Sequence, residues 1–185
     1  MTGIILFRAQ PFHNGHLEQI RRAVADMRKL NSRLYIIVGS ADKCGTRRNP
    51  FHIDLRIRLI ENSLIEEFDV DYEKYITVVP LEDLSDEANN TFSWGEYLYN
   101  HLCEITNDKD FIIYYSDKPE IMLSWFDDTL KPYIAYKFLP RYNDISATKI
   151  REYLTLFDDE HLKEAVPKYV FNNRKILREC LYDIK

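Results

Sequence analysis

"GIILFRAQPFHNGHLEQIRRAVADMRKL", residues 3–30, joins a short apolar run to a long amphipathic one across a junction crowded with chemistry. The run "GIILF" is apolar without alternation, which a strand covered on both faces requires. "LEQIRRAVADMRKL" reads as a helix, so the stretch is a strand feeding directly into a helix. Between them Arg8 ends the strand, Pro11 stiffens the approach, and His13 and His16 bracket Gly15 where the helix begins.

Outward from this unit the pattern recurs. "RLYIIVG", "YITVVP", "DFIIYYS" and "YIAYKFLP" are dense in Ile, Val, Tyr and Phe and read as strands, each followed by a helical candidate. After the second strand, Ile57, Ile60, Leu64 and Phe68 fall at helical spacing, with Arg56, Arg58, Glu61 and Glu66 assigned to the other faces. Strand and helix in alternation imply parallel strands with crossover helices. The expected fold is therefore α/β, a Rossmann-like, doubly wound, five-stranded parallel sheet. "SATKIREYLTLF" and "PKYVFNNRKILRECLYDI" follow with no strand between them and predict a small C-terminal helical cap. One domain over 1–185 is expected, with an α/β core over 1–144 and a helical part over 145–185. In such sheets ligands bind beyond the carboxyl ends of the strands, where strand order reverses, which places the opening junction at the site.

Composition narrows the classes. No apolar run approaches membrane-span length, and "MTGIILFRAQ" lacks the pattern of a signal peptide, so a cytoplasmic protein is expected. Cys44, Cys103 and Cys180 are odd in number and far apart, without C-x-x-C spacing, and are read as reduced thiols rather than a disulfide or zinc framework. A net charge of −5 argues against a broad nucleic-acid footprint and for small-molecule partners. Basic residues nevertheless cluster: Arg8, Arg21 and Arg22; Arg47, Arg48, Arg56 and Arg58; Lys149 and Arg151. If the fold gathers these clusters, an acidic protein carries one positive pocket.

The junction itself suits an anion. Free N–H groups and the helix dipole favour negative charge at a helix start, two imidazoles can donate to phosphate oxygens, and Gly15 keeps the backbone accessible. A lone histidine more often satisfies a turn carbonyl; the pair in this context favours phosphate. Neither G-x-G-x-x-G after strand one nor G-x-x-x-x-G-K-[ST] anywhere is present, which disfavours dinucleotide dehydrogenases and P-loop enzymes. "ISATKIR", residues 145–151, starts a second helix in which Ser146 or Thr148 can cap, leaving Arg151 to be explained by something other than capping.

"HNGH" with "ISATKIR" resembles the paired H-x-G-H and I-S-S-T-x-x-R motifs of the nucleotidylyltransferase superfamily. "FRAQPFHNGHL", "GSADKCGTRRNPF", "NNTFSW", "IIYYSDKPEIMLSWF" and "ISATKIREYL…AVPKYV" follow, in order, the pattern of archaeal-type nicotinamide-nucleotide adenylyltransferases over nearly the whole chain. The resemblance implies transfer of AMP from ATP to nicotinamide mononucleotide (NMN), giving NAD and pyrophosphate, with Mg2+ carried mainly on the ATP phosphates and no dedicated metal ligands. It implies catalytic roles for Arg8, His13, His16 and Arg151. ATP is expected against these four and against Phe7, Phe12, Gly15, Ser116, Ile145, Ser146 and Thr148. NMN is expected against Ser40, Arg47, Asp83, Leu84, Asn90 and Trp94, with Arg47 on its phosphate, Arg48 the alternative, and Trp94 stacked on its ring. Relatives of this kind often form homo-oligomers.

Three departures stand out. The usual G-R-F-Q-P-F-H start is Phe7, Arg8, Ala9, Gln10, Pro11, Phe12, His13; Thr91 replaces an asparagine three positions before Trp94; and Cys44 and Gly45 replace a Ser-His pair. Competing readings are adenylyl transfer to FMN or phosphopantetheine, or a nucleotide sensor without turnover. The ATP motifs do not separate the acceptors, whereas "NNTFSW" and "RRNPF" favour the pyridine nucleotide.

Overall fold

The computed structural model describes residues 1–84, 92–116 and 119–184. Strands β1 (Thr2–Phe7), β2 (Leu34–Val38), β3 (Ile76–Pro80), β4 (Phe111–Tyr115) and β5 (Ile134–Phe138) form one sheet in the order β3-β2-β1-β4-β5. Every neighbouring pair is parallel. Helices α1 (Asn14–Lys29), α2 (Ile53–Phe68), α3 (Phe92–Thr106) and α4 (Pro119–Leu123) follow the first four strands in turn. The five-stranded, doubly wound parallel sheet expected from the sequence is the fold observed.

Because successive strand residues face opposite sides, each strand feeds two cores. Ile5, Ile36 and Tyr114 join a cluster with Leu17, Ile20 and Val24 of α1, whereas Ile4, Ile37 and Ile113 join one with Trp94, Leu98 and Leu102 of α3. The near-continuous apolar strands are explained by this double covering. Chain order runs outward from β1 through β2 to β3, then returns to the other side of β1 as β4, so the order reverses between β1 and β4.

Two expectations change. The buried stripe of α2 is Arg56, Leu59, Ile60, Ser63 and Leu64, so Arg56 faces inward rather than lying on a polar face. Among its described residues the C-terminal part holds four helices instead of two: α5 (Ala147–Thr155), α6 (Asp159–Ala165), α7 (Lys168–Asn172) and α8 (Arg174–Tyr182). Asp158 caps α6 by accepting from the His161 N–H at 3.2 Å. Val166, just before Pro167, is extended and ends it. Leu154, Leu162, Val170 and Leu177 from these helices lie in the same cluster as α1 and α2. No described helix is long and apolar enough to cross a membrane.

Candidate active site

Where β1 and β4 part, a cavity of about 630 Å3 opens beyond their carboxyl ends. Its floor is the β1–α1 junction. α1 starts at Asn14 with His13 as its N-cap, and no side chain caps it. The His13 and His16 rings stack at 3.7 Å between centroids and 18° between planes. Gly15 is what permits this: a Cβ there would come within 3.0 Å of the His13 ring. Phe7 also packs on His16, with ring centroids 4.4 Å apart.

Burial, then the charge of Arg141, pushes the His13 imidazole down to about 4. His16 is held well below the ordinary histidine range by burial and by His13 itself. Both rings are therefore neutral near pH 7, each with one N–H donor. Both Nδ1 atoms are buried without a hydrogen-bond partner.

Guanidinium groups surround the pair. Arg8, Arg48, Arg141 and Arg151 all line the cavity. The Arg8 guanidinium is lowered by burial, then by Arg48 and Arg151, with Asp83 opposing. Arg151 reaches back from the first turns of α5, donating to the Gln10 carbonyl at 2.7 Å and to Thr148 Oγ1 at 3.3 Å. Ser146 caps α5 by accepting from the Lys149 N–H at 3.3 Å. Capping thus explains the serine, and the arginine belongs to the cavity.

Most residues expected at ATP lie on this wall. Phe7, Gly15 and Ser116 line it from β1, α1 and the end of β4, and Ile145, Ser146 and Thr148 line it from the start of α5. Phe12 does not: fully buried, it backs His16 with ring centroids 5.6 Å apart.

The residues expected at NMN are placed differently. Arg48, not Arg47, lines the cavity. Ser40 is buried and donates to Asp83 Oδ1 at 3.1 Å, Leu84 is exposed, and neither these nor Asp83 lines the cavity. Asn90 lies outside the described residues. Trp94 is 4% exposed, with its ring in the core edge-on to Trp125 at 6.2 Å and 90°. Its position on the inward face of α3 is the physical reason, and Trp125 supplies the aromatic surface that reaches the cavity.

Reasoning from sequence missed Trp125 and Arg141. Trp125 follows β4, at the reversal, and Arg141 follows the neighbouring β5, so the ends of the strands were the available signal.

The cytidylyltransferase-like family model matches residues 8–153, from the first cavity arginine to two residues past the last. The chain belongs to that family. Among this cytidylyltransferase-like protein's relatives, the nicotinamide-nucleotide adenylyltransferase of Sulfurisphaera tokodaii is 31% identical over 188 residues, covering 100% of this chain and 97% of the relative. That of Haloarcula marismortui is 28% identical over 172 residues, 92% of this chain and 78% of the relative. Among solved structures, a bifunctional NMN adenylyltransferase/ADP ribose pyrophosphatase from Francisella tularensis superposes with a TM-score of 0.70 at 22% identity, over 100% of this chain and 52% of that one. The chain thus spans about half of that bifunctional protein and shares its fold.

Proposed function

We propose that this protein is a nicotinamide-nucleotide adenylyltransferase that transfers AMP from ATP to NMN, giving NAD and pyrophosphate. The observation that carries the reading is the convergence of His13, His16, Arg8, Arg48 and Arg151 on one cavity at the point of strand reversal. Five donors of this kind suit two phosphate-bearing substrates, and relatives along the whole chain bear that activity's name.

The NMN phosphate attacks the ATP α-phosphorus in line, and pyrophosphate leaves. No protein nucleophile is required; rate comes from holding the two phosphates together and from donors aimed at charge that develops on the α-phosphoryl oxygens. His13 and His16, neutral and lining the cavity, donate to those oxygens. Arg151 and Arg8 hold the triphosphate, and Arg48 takes the NMN phosphate in place of Arg47. Trp125 offers its face to the pyridinium, a favourable contact for a cationic ring, with Trp94 fixing it from behind. The donors are guanidinium and imidazole groups, which suit phosphate oxygens rather than a dication. A divalent cation such as Mg2+ would accordingly be carried by ATP rather than by these side chains, and would supply charge neutralisation. The chain acts as one nucleotidylyltransferase domain, with 145–185 supplying Arg151.

Product analysis by HPLC tests the reading. Purified protein receives ATP and Mg2+ with NMN, its acid analogue, FMN or phosphopantetheine. NAD formation well above the other products is the expected result. A different adenylylated product overturns the acceptor, and nucleotide binding without any product overturns the enzyme reading.

A further inference from the structure

Arg56 is 0% exposed and lies in the first turns of α2, yet it makes no ion pair among the described residues. Its guanidinium serves three carbonyls instead. Nη1 donates to Arg8 O at 2.8 Å and to Gly39 O at 2.9 Å, and Nη2 donates to Ser40 O at 2.8 Å. These acceptors sit just past the ends of β1 and β2, and Arg8 among them lines the cavity.

The acceptors are not arbitrary. Ala9, the residue after Arg8, has φ +50°, and Ser40, the residue after Gly39, has φ +52°. Both are non-glycine residues in the left-handed region, which persists only where the surroundings over-determine it. Arg56 binds the peptide carbonyl that precedes each of them, and the carbonyl of Ser40 itself. A buried cation whose partners are all neutral carbonyls is costly, and burial followed by the nearby Arg8 charge lowers Arg56 to about 10.

We propose that Arg56 is a positioning residue that locks the two left-handed turns after β1 and β2 against each other, and so fixes Arg8 in the cavity. The inference rests on the proposed adenylyl transfer for its activity readout. Gln10 extends the brace. It donates from Nε2 to Phe51 O at 3.3 Å and accepts at Oε1 from the Phe51 N–H at 2.9 Å, while its own carbonyl accepts from Arg151. The β1–α1 junction is thereby fastened to the segment entering α2 on one side and to α5 on the other.

A rescue experiment separates positioning from simple stability. Four proteins are compared: wild type, Arg56→Met, Ala9→Gly, and the double variant. Arg56→Met is expected to lower kcat/KM for ATP on the order of 10²-fold, as a displaced binding group does. Glycine adopts the left-handed conformation without cost, so Ala9→Gly is expected to recover about tenfold in the Arg56→Met background while changing wild type less than twofold. Equal effects of Ala9→Gly in both backgrounds overturn the proposal, as does unaltered kcat/KM in a folded Arg56→Met.

If Arg56→Met does not fold, Arg56→Lys replaces it in the cycle, because an ammonium keeps the charge but lacks the planar fork that spans three carbonyls. ATP affinity by calorimetry is read in the same proteins and must show the same non-additivity. Absence of NAD with wild type overturns the proposed reaction, whereas additivity in ATP affinity overturns the role of Arg56.

Discussion

At the scale of single residues, the stacked pair His13 and His16 ties binding chemistry to stability. His13 is lowered to about 4 from an ordinary 6.5, so between these values the unfolded chain binds a proton that the folded protein refuses. Stability must then rise with pH across that window: it is fully present above 6.5, is lost as pH falls, and levels off below 4. The shift corresponds to about 3 kcal/mol. Urea denaturation of wild type and His13→Asn at pH 7 and pH 4.5 checks this, and an equal loss in both proteins would falsify it. His16→Ala, which removes a donor to the developing charge, should cost on the order of 10²-fold in kcat with little change in ATP affinity. Single-turnover rates alongside equilibrium binding distinguish this from a binding defect. The place of the histidines at the start of α1 and of Arg151 in the first turns of α5 was legible in the sequence because strand-to-helix junctions show in local pattern, whereas the roles of these residues and of Arg8 came from the resemblance. The place of the tryptophans was not legible. Whether Trp94 or Trp125 meets the cavity depends on the facing of α3 and on how the chain after α4 crosses it, and neither follows from local pattern. Trp125→Ala should therefore raise KM for NMN and leave that for ATP nearly unchanged. Trp94→Ala should lower stability by about 3–5 kcal/mol, as loss of a core tryptophan does.

Among the elements, strands and long helices were readable, whereas the fine facing of α2 and the breaks in the C-terminal helices were not. Ile57 and Phe68 are apolar and suggested a stripe, but only partly buried; the inward place went to Arg56 because three carbonyls await it there. A long-range polar contact of this kind leaves no trace in periodicity. The junction between α3 and the chain following α4 is equally non-local. A Cβ on Gly95 would lie 1.8 Å from the Trp125 carbonyl oxygen and 2.5 Å from its carbon, so the backbone itself blocks any larger residue. Gly95→Ala should consequently do more than raise helix propensity. It should push the Trp125 segment off α3, destabilise by about 1–3 kcal/mol as overpacking does, and weaken NMN binding with it. Thermal unfolding and NMN titration of the variant report the two effects; an alanine that stabilises the protein would show that α3 and the Trp125 segment are not in fixed contact.

For the whole molecule, charge is distributed against its own average. The chain carries −5 overall, from 25 Lys and Arg against 30 Asp and Glu, yet Arg8, Arg48, Arg141 and Arg151 share one cavity. The three basic clusters seen in the sequence supply them only in part. Arg21 is held by Glu67 at 2.6 Å and Arg22 by Glu18 at 2.9 Å on the outer side of α1, and Arg58 is exposed on α2. Strand order selects which members of each cluster reach the site, and it is knowable only once the sheet is assembled. The consequence is a positive well in an acidic surface, so polyanionic substrates meet repulsion at a distance and attraction at the mouth. Screening acts most on the solvent-exposed part of that field. Raising ionic strength from about 0.01 to about 0.1 M shortens the Debye length from about 30 to about 10 Å. KM for ATP should accordingly rise severalfold while kcat stays nearly level, because in the proposed mechanism the groups that stabilise the transition state touch it directly and are partly shielded from salt. Arg48→Ala should flatten the salt response of KM for NMN, since Arg48 is exposed at the rim. Steady-state kinetics over a sodium chloride series provide the readout, with inhibition by adenosine as an uncharged control expected not to move. A salt-independent KM for ATP would mean that the arginines act through contact alone and that the well contributes nothing to capture.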